Sequence, residues 1–294
     1  MRGVSSAVLI TGATGNVGGA VVRRLLARAG RAGEVAIRPR VAVRDPAAAA
    51  AGFGPGVEAV ALDFHRPETF AGALAGVRAL FLLRPPAIAR VRRTLVALID
   101  AAAQAGVGHV VFLSVVGAEN PLLPHHAVEV RLREGPVPWT ILRPGFFMQN
   151  IGDTYRPDIR ERDELYLAAG EGAVAWVDAR DLGEVAAEVL VDPAGHQGRT
   201  YTLTGAEAVG FAEVAALLSR AAGRPIRYVP ASALGQLRRH VARGMPLGQA
   251  IVVTLLHLGL RRDQAVDPTL GGLLGRRPRT VAEYVADYAE LGRR

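Results

Sequence analysis

Gly12, Gly15 and Gly18 stand three residues apart in the stretch AVLITGATGNVGGAVV, and that spacing has a specific chemical use. A glycine at the first position lets the chain turn sharply out of a strand. One at the second lets the backbone approach a pyrophosphate, and one at the third lets the next helix pack close to the sheet. Val8-Leu9-Ile10 lead into the turn, and Val17, Val21, Val22, Leu25 and Leu26 leave it at helical spacing. The helix N-terminus would then present N–H groups and a positive dipole end to phosphate oxygens. With Thr14, Asn16 and Val17 inside it, the turn predicts a dinucleotide site.

Ligands of a doubly wound sheet sit outside the carboxyl ends of its strands, and this selects the other candidates. Arg44 follows the second strand. An acidic residue there suits the ribose 2′-OH of NAD, whereas an arginine suits a 2′-phosphate, so NADP(H) is expected ahead of NAD(H). Asp45 follows at once and argues the other way. Asp63-Phe64, after the third strand, would meet the adenine, or Asp63 is a turn aspartate. Leu83-Arg84 follow the fourth strand and would run beside the ribose or nicotinamide, with Pro144 beyond the sixth. Ser114 ends the fifth strand, either facing a substrate carbonyl or buried on the backbone. Phe146, Phe147, Met148 and Asn150 would wall a flat substrate, unless the aromatic pair is core.

The elements that must position these residues alternate in type. Strands are predicted at Val8–Thr11, Arg40–Val43, Val57–Leu62, Ala79–Leu83, His109–Ser114 and Trp139–Arg143. Helices are predicted at Val17–Ala29, Glu68–Leu74, Ala87–Ala105 and His125–Glu134. This pattern implies an α/β Rossmann fold: a doubly wound parallel sheet with right-handed crossovers, followed by a smaller C-terminal substrate-binding lobe. Residues 1–150 would form the dinucleotide-binding lobe, joined by returning strands near 174–204. Residues 151–173 and 205–294 would form the smaller lobe. The link from Gly30 to the second strand is long and rich in Gly and Arg. Helices are expected at 182–191, 211–222, 231–260 and 281–291.

Composition narrows the chemistry further. Every one of the 35 basic residues is Arg, so no lysine Schiff base, Walker lysine or Tyr-x-x-x-Lys pair exists. Zero Cys excludes disulfides, thiolate zinc sites and cysteine nucleophiles. The net charge of +8 is spread over scattered arginines without interleaved aromatics, which predicts solvated faces and no nucleic-acid partner. The apolar run 247–260 is too short to span a membrane. A cytoplasmic protein is expected.

Five segments together resemble the NmrA-like branch of atypical short-chain dehydrogenases/reductases, more loosely its NADPH:quinone reductase and azoreductase-like members. They are TGATGNVGGAVV, VAVRDP, HVVFLSVVGAE, HHAVEVRLREGPVPWTILRPGFFMQN and VAWVDARDLGEVAAEVL, with GRRPRTVAEYVADY near the C-terminus. The resemblance implies a Rossmann lobe binding NADP(H). Its glycine motif falls on Gly12, Gly15 and Gly18, its phosphate-binding arginine on Arg44 and the triad serine on Ser114. The Tyr-x-x-x-Lys pair of the wider dehydrogenase group falls on His125-x-x-x-Glu129, and neither partner is present.

That departure selects substrates. Reduction of an ordinary ketone makes a basic alkoxide and needs a positioned acid. Reduction of a quinone or extended enone makes a delocalised anion that water can protonate. The expected function is therefore NADPH-dependent reduction of a planar, conjugated or aromatic carbonyl compound, in secondary metabolism if the Arg-only usage reflects a GC-rich genome. His125 would donate near neutral pH, or is an exposed cap residue with His126; adjacent histidines make poor metal ligands. Arg143 is expected in an ion-pair group with Asp178, Arg180 and Asp181, the last capping a helix. Two other readings stand beside the reductase: a non-catalytic NADP(H) sensor, and a lyase, isomerase or cyclase on the same fold.

Overall fold

The computed structural model describes residues 6–28, 37–54 and 56–288. In chain order the elements begin β1 (Ser6–Thr11), α1 (Asn16–Arg28), β2 (Ile37–Val43), α2 (Pro46–Phe53), β3 (Glu58–Ala61), α3 (Phe70–Leu74) and β4 (Val77–Leu83). They continue α4 (Leu95–Gln104), β5 (His109–Leu113), α5 (Pro124–Glu134), β6 (Trp139–Pro144), β7 (Phe146–Phe147), α6 (Arg156–Arg162), β8 (Glu164–Leu167) and β9 (Ala173–Val177). The remainder are α7 (Ala179–Val191), β10 (Arg199–Leu203), β11 (Ala208–Gly210), α8 (Phe211–Ala222), β12 (Arg227–Pro230), α9 (Ala233–Ala242), α10 (Leu247–Gly259), α11 (Thr269–Leu274) and α12 (Val281–Asp287).

Two compact units result. One takes the chain as far as Pro144 and again Ala179–Leu203; the other takes Gly145–Asp178 and the chain from Thr204 onward.

The first unit is built on a seven-stranded sheet in the order β10-β6-β5-β4-β1-β2-β3, every pair parallel. Parallel strands are covered on both faces, and β5 is buried at every residue, as its apolar run requires. Leu80, Leu82, Leu98, Phe112, Leu132 and Ile141 share one core beneath the helices. The strand order reverses between β1 and β4. There the buried Thr11 hydroxyl donates to the Phe81 carbonyl (3.1 Å) and accepts from the Leu83 amide (3.0 Å). This is a Rossmann-type α/β fold with its switch point fastened by one threonine.

Several elements depart from the sequence reading. Of the returning strands expected near 174–204, only Arg199–Leu203 joins the large sheet, as β10. The strand at 174–177 belongs elsewhere, because β9 pairs with β7 and β11 in a three-stranded sheet of the second unit. The helix expected from Ala87 begins only at Leu95. Ahead of it, the Arg84 guanidinium holds the carbonyls of Pro85, Pro86 and Ile88, and Thr94 leaves helical geometry with φ −127° and ψ −87°. The 231–260 helix is two helices, broken between Ala242 and Leu247 at Gly244 and Pro246. The alanine run after Pro46 is the helix α2, capped by Asp45. The Gly30 connection and residues 289–291 lie outside the described residues.

The second unit holds the sheet β11-β9-β7 and the parallel pair β12-β8, with α6 and α8–α12 around them. Its core centres on Trp176, Phe211, Tyr155 and Met148. Among the described residues, no helix is long and apolar enough to cross a membrane.

Candidate active site

The glycine turn has the form a pyrophosphate needs. Gly12 sits at φ +63°, where a side chain is strained, and a Cβ on it would meet the Leu83 side chain within 3 Å. A Cβ on Gly18 would lie 2.2 Å from the Gly12 carbonyl oxygen, so the third glycine is what lets the turn close over α1. Gly15 differs: a Cβ there would meet only the Gly12 oxygen, at 3.3 Å. Thr14, Gly15 and Asn16 are exposed, while Val17 and Gly18 are buried. The cradle in front of the helix N-terminus is thus open, with the dipole end behind it. These residues fit a dinucleotide phosphate.

Arg44 is exposed at the end of β2 and has no side-chain partner among the described residues. The competing carboxylate is engaged: Asp45 Oδ1 accepts from the amides of Ala47 (3.0 Å) and Ala48 (3.1 Å). Asp63 makes a tight turn, with Oδ1 accepting from the His65 amide at 2.9 Å. Phe64 packs, half-buried, against the core of the first unit.

Ser114 and Glu129, the residue at the lysine position of the Tyr-x-x-x-Lys pair, meet in one buried network. Ser114 Oγ donates to Glu129 Oε1 at 2.6 Å. Arg143 grips the same carboxylate twice, Nε to Oε1 at 2.9 Å and Nη2 to Oε2 at 2.5 Å, and Arg133 adds a bond of 2.8 Å. Glu119 pairs with the far side of Arg143. Glu129 is fully buried, so these pairs and the hydroxyl are what hold its charge inside the fold. Arg143 therefore pairs within its own unit, with Glu129 and Glu119, rather than in the group expected around Asp178. Asp181 lies inside the first turn of α7. The Ser114 proton is committed to Glu129.

His125 follows Pro124 in the first turn of α5, and it is buried rather than an exposed cap. Burial, reinforced by the nearby Arg84 cation, pushes its pKa down from 6.5 to about 4. It is neutral at physiological pH, so the expected titration near neutrality does not hold. Arg84 Nε donates to His125 Nε2 at 3.2 Å. His126 turns away to bond the Ala118 carbonyl through Nδ1 (3.0 Å). The described residues contain no cluster of three metal-ligating groups.

Leu83 lines the glycine turn, and the buried Pro144 carbonyl accepts from the Val116 amide at 3.1 Å. In the second unit, Phe146 is half-buried, edge-on to Trp176 with centroids 5.0 Å apart. Phe147 is likewise half-buried and registers with Val177. Met148 corrects the expectation of a substrate wall: at 1% exposure it is core and offers a ligand no surface. The Asn150 carbonyl accepts from the Tyr155 amide. Sequence reasoning missed Thr11, and it missed that Glu129 anchors an ion cluster. The available signal was an i,i+4 Glu–Arg pair, Glu129 and Arg133, on a helix.

An open parallel sheet, a glycine turn at its first strand and a helix N-terminus behind it define a dinucleotide-binding protein of the Rossmann class. The chain belongs to the NmrA-like family, whose model matches residues 4–284. It is 36% identical to the NAD(P)H azoreductase of Xenophilus azovorans over 293 residues, covering 96% of this chain and 98% of that protein. The NADPH-dependent quinone oxidoreductase of Escherichia coli, solved with NADPH, superposes with a TM-score of 0.82 at 27% identity, covering 95% of this chain and 99% of that one. The Citrobacter triphenylmethane reductase gives 0.83 at 26% identity, with 97% and 99% covered.

Proposed function

We propose that this protein is an NADPH-dependent reductase of planar conjugated compounds, quinones foremost. The observation that carries the proposal is the chemistry at positions 125 and 129. A neutral, buried His125 and a fully ion-paired Glu129 stand where an acid and its lysine would serve an ordinary ketone. Nothing there delivers a proton to a strongly basic alkoxide. The reduced anion of a quinone is stabilised by delocalisation and draws its proton from water. The similarity to an azoreductase, a quinone oxidoreductase and a triphenylmethane reductase supports the same substrate class, flat and conjugated.

NADPH would supply the hydride. The open turn at Thr14–Val17 would receive its pyrophosphate, and the exposed Arg44 its 2′-phosphate. Leu83 keeps the turn closed from the sheet side. Ser114 holds Glu129 in place.

The test is NADPH oxidation with a panel of quinones, azo dyes and simple aliphatic ketones. Turnover is expected with the first two and little with the third. Tight NADPH binding without oxidation by any acceptor would replace the reductase with a sensor.

A further inference from the structure

His125 Nδ1 is buried and has no partner among the described residues, in a residue only 8% exposed. Native folds rarely leave such an atom unsatisfied. Its state follows from the opposite ring nitrogen. The Arg84 guanidinium is fixed by three carbonyls: Nη1 donates to Pro85 (3.3 Å), Pro86 (3.2 Å) and Ile88 (2.7 Å). Its Nε–H is thereby aimed at His125 Nε2, 3.2 Å away. Arginine only donates, so Nε2 must accept, and the single ring proton sits on Nδ1. A second proton would set N–H against N–H.

We infer that Arg84 is a positioning residue that locks His125 as a neutral Nδ1–H donor, and that the acceptor is an uncharged carbonyl-type oxygen of the substrate. This deepens, and rests on, the reductase reading. The surroundings agree with it. The ring meets Arg84 from the segment after β4 and the Phe112 ring from β5, centroids 6.2 Å apart. One turn along α5, the Glu129 carboxylate is taken by Ser114, Arg133 and Arg143. The ring therefore faces one cation and one apolar ring. A neutral donor strengthens its bond as negative charge grows on the acceptor, and the cation behind the ring polarises it further. It needs no proton transfer, so its contribution is independent of pH above the imidazole pKa, which burial and Arg84 hold at about 4.

The decisive experiment is NMR of full-length protein carrying isotope-labelled histidine. The His125 resonances should report the Nδ1–H tautomer, unchanged between about pH 5.5 and 8. Arg84→Met should release it, giving mixed tautomers and a titration moved toward the ordinary histidine range. A methyl-naphthoquinone added with NADP⁺, which permits no turnover, should shift the Nδ1 signal. In steady state, His125→Leu should lose about tenfold in kcat/KM for quinones. His125→Asn, whose amide nitrogen replaces Nδ1, should recover most of that loss. An Nε2–H tautomer, an unshifted Nδ1 signal with quinone, or an Asn variant no better than Leu overturns the donor. Absence of NADPH oxidation by wild-type protein overturns the reductase reading, and the turnover-free NMR arm still decides the donor separately.

Discussion

Asp45 commits its carboxylate to the amides that open α2, so the anion beside Arg44 is turned toward a helix instead of a ligand. The pair reads as contradictory in sequence and as consistent in structure. Arg44→Ala should weaken NADPH binding roughly tenfold or more, the value of a charge-assisted bond of about 1.5–3 kcal/mol, with little effect on NADH. Fluorescence titration with both cofactors checks this, and equal losses would reduce Arg44 to general screening. Glu129 makes the opposite kind of residue-scale prediction, about the fold. Removing one member of a buried ion cluster costs about 3–5 kcal/mol, against about 1 kcal/mol for a single hydrogen bond. Glu129→Ala should therefore destabilise far more than Ser114→Ala in denaturant melts, and a reversed order would sink the clamp argument.

At the scale of elements, the strand–turn–helix of β1 and α1 was legible because its determinants are local. Apolar runs, three glycines and a helical repeat all fall within a stretch of sixteen residues, Ala7 to Val22. Gly15→Val should cost only a modest part of the stability, because its Cβ presses on a single atom, the Gly12 carbonyl oxygen at 3.3 Å. The same variant should lose NADPH binding in calorimetry; an intact isotherm would remove the cradle. What stayed hidden was long-range. Ser114, Glu129 and Arg143 are set side by side only when β5, α5 and β6 complete a crossover. Met148 and Phe146 look alike in sequence as apolar residues after Pro144, and only packing separates core from half-exposed edge. The α4 start failed for a similar reason: a side chain before the helix takes the carbonyls that would have extended it.

Over the whole molecule, burial pushes the pKa of four histidines down, His240 among them. His109, His125 and His257 are each pushed down to about 4, chiefly by burial, with His196, Arg84 and His240 respectively adding positive charge nearby. Unfolded, each titrates near 6.5. Above that pH neither state binds the proton, and stability does not change on their account. Between about 6.5 and 4 the unfolded chain takes up protons that the native state refuses, so stability falls as pH falls. The denaturation midpoint should hold from pH 8 to about 6.5 and decline progressively toward pH 4.5, with proton uptake on unfolding in that window. A flat midpoint would mean that the buried rings are protonated in the fold.

The carboxylate clamp of Glu129 also bears on descent. A lysine at that position would be a third cation beside Arg133 and Arg143, in a spot sealed from water. Recovering tyrosine–lysine chemistry therefore takes more than two codon changes. The arginines that surround the position would have to be replaced as well. A side-chain cluster that reads as mere structural support thus acts as a ratchet, confining a lineage that carries it to acceptors that do without a strong acid.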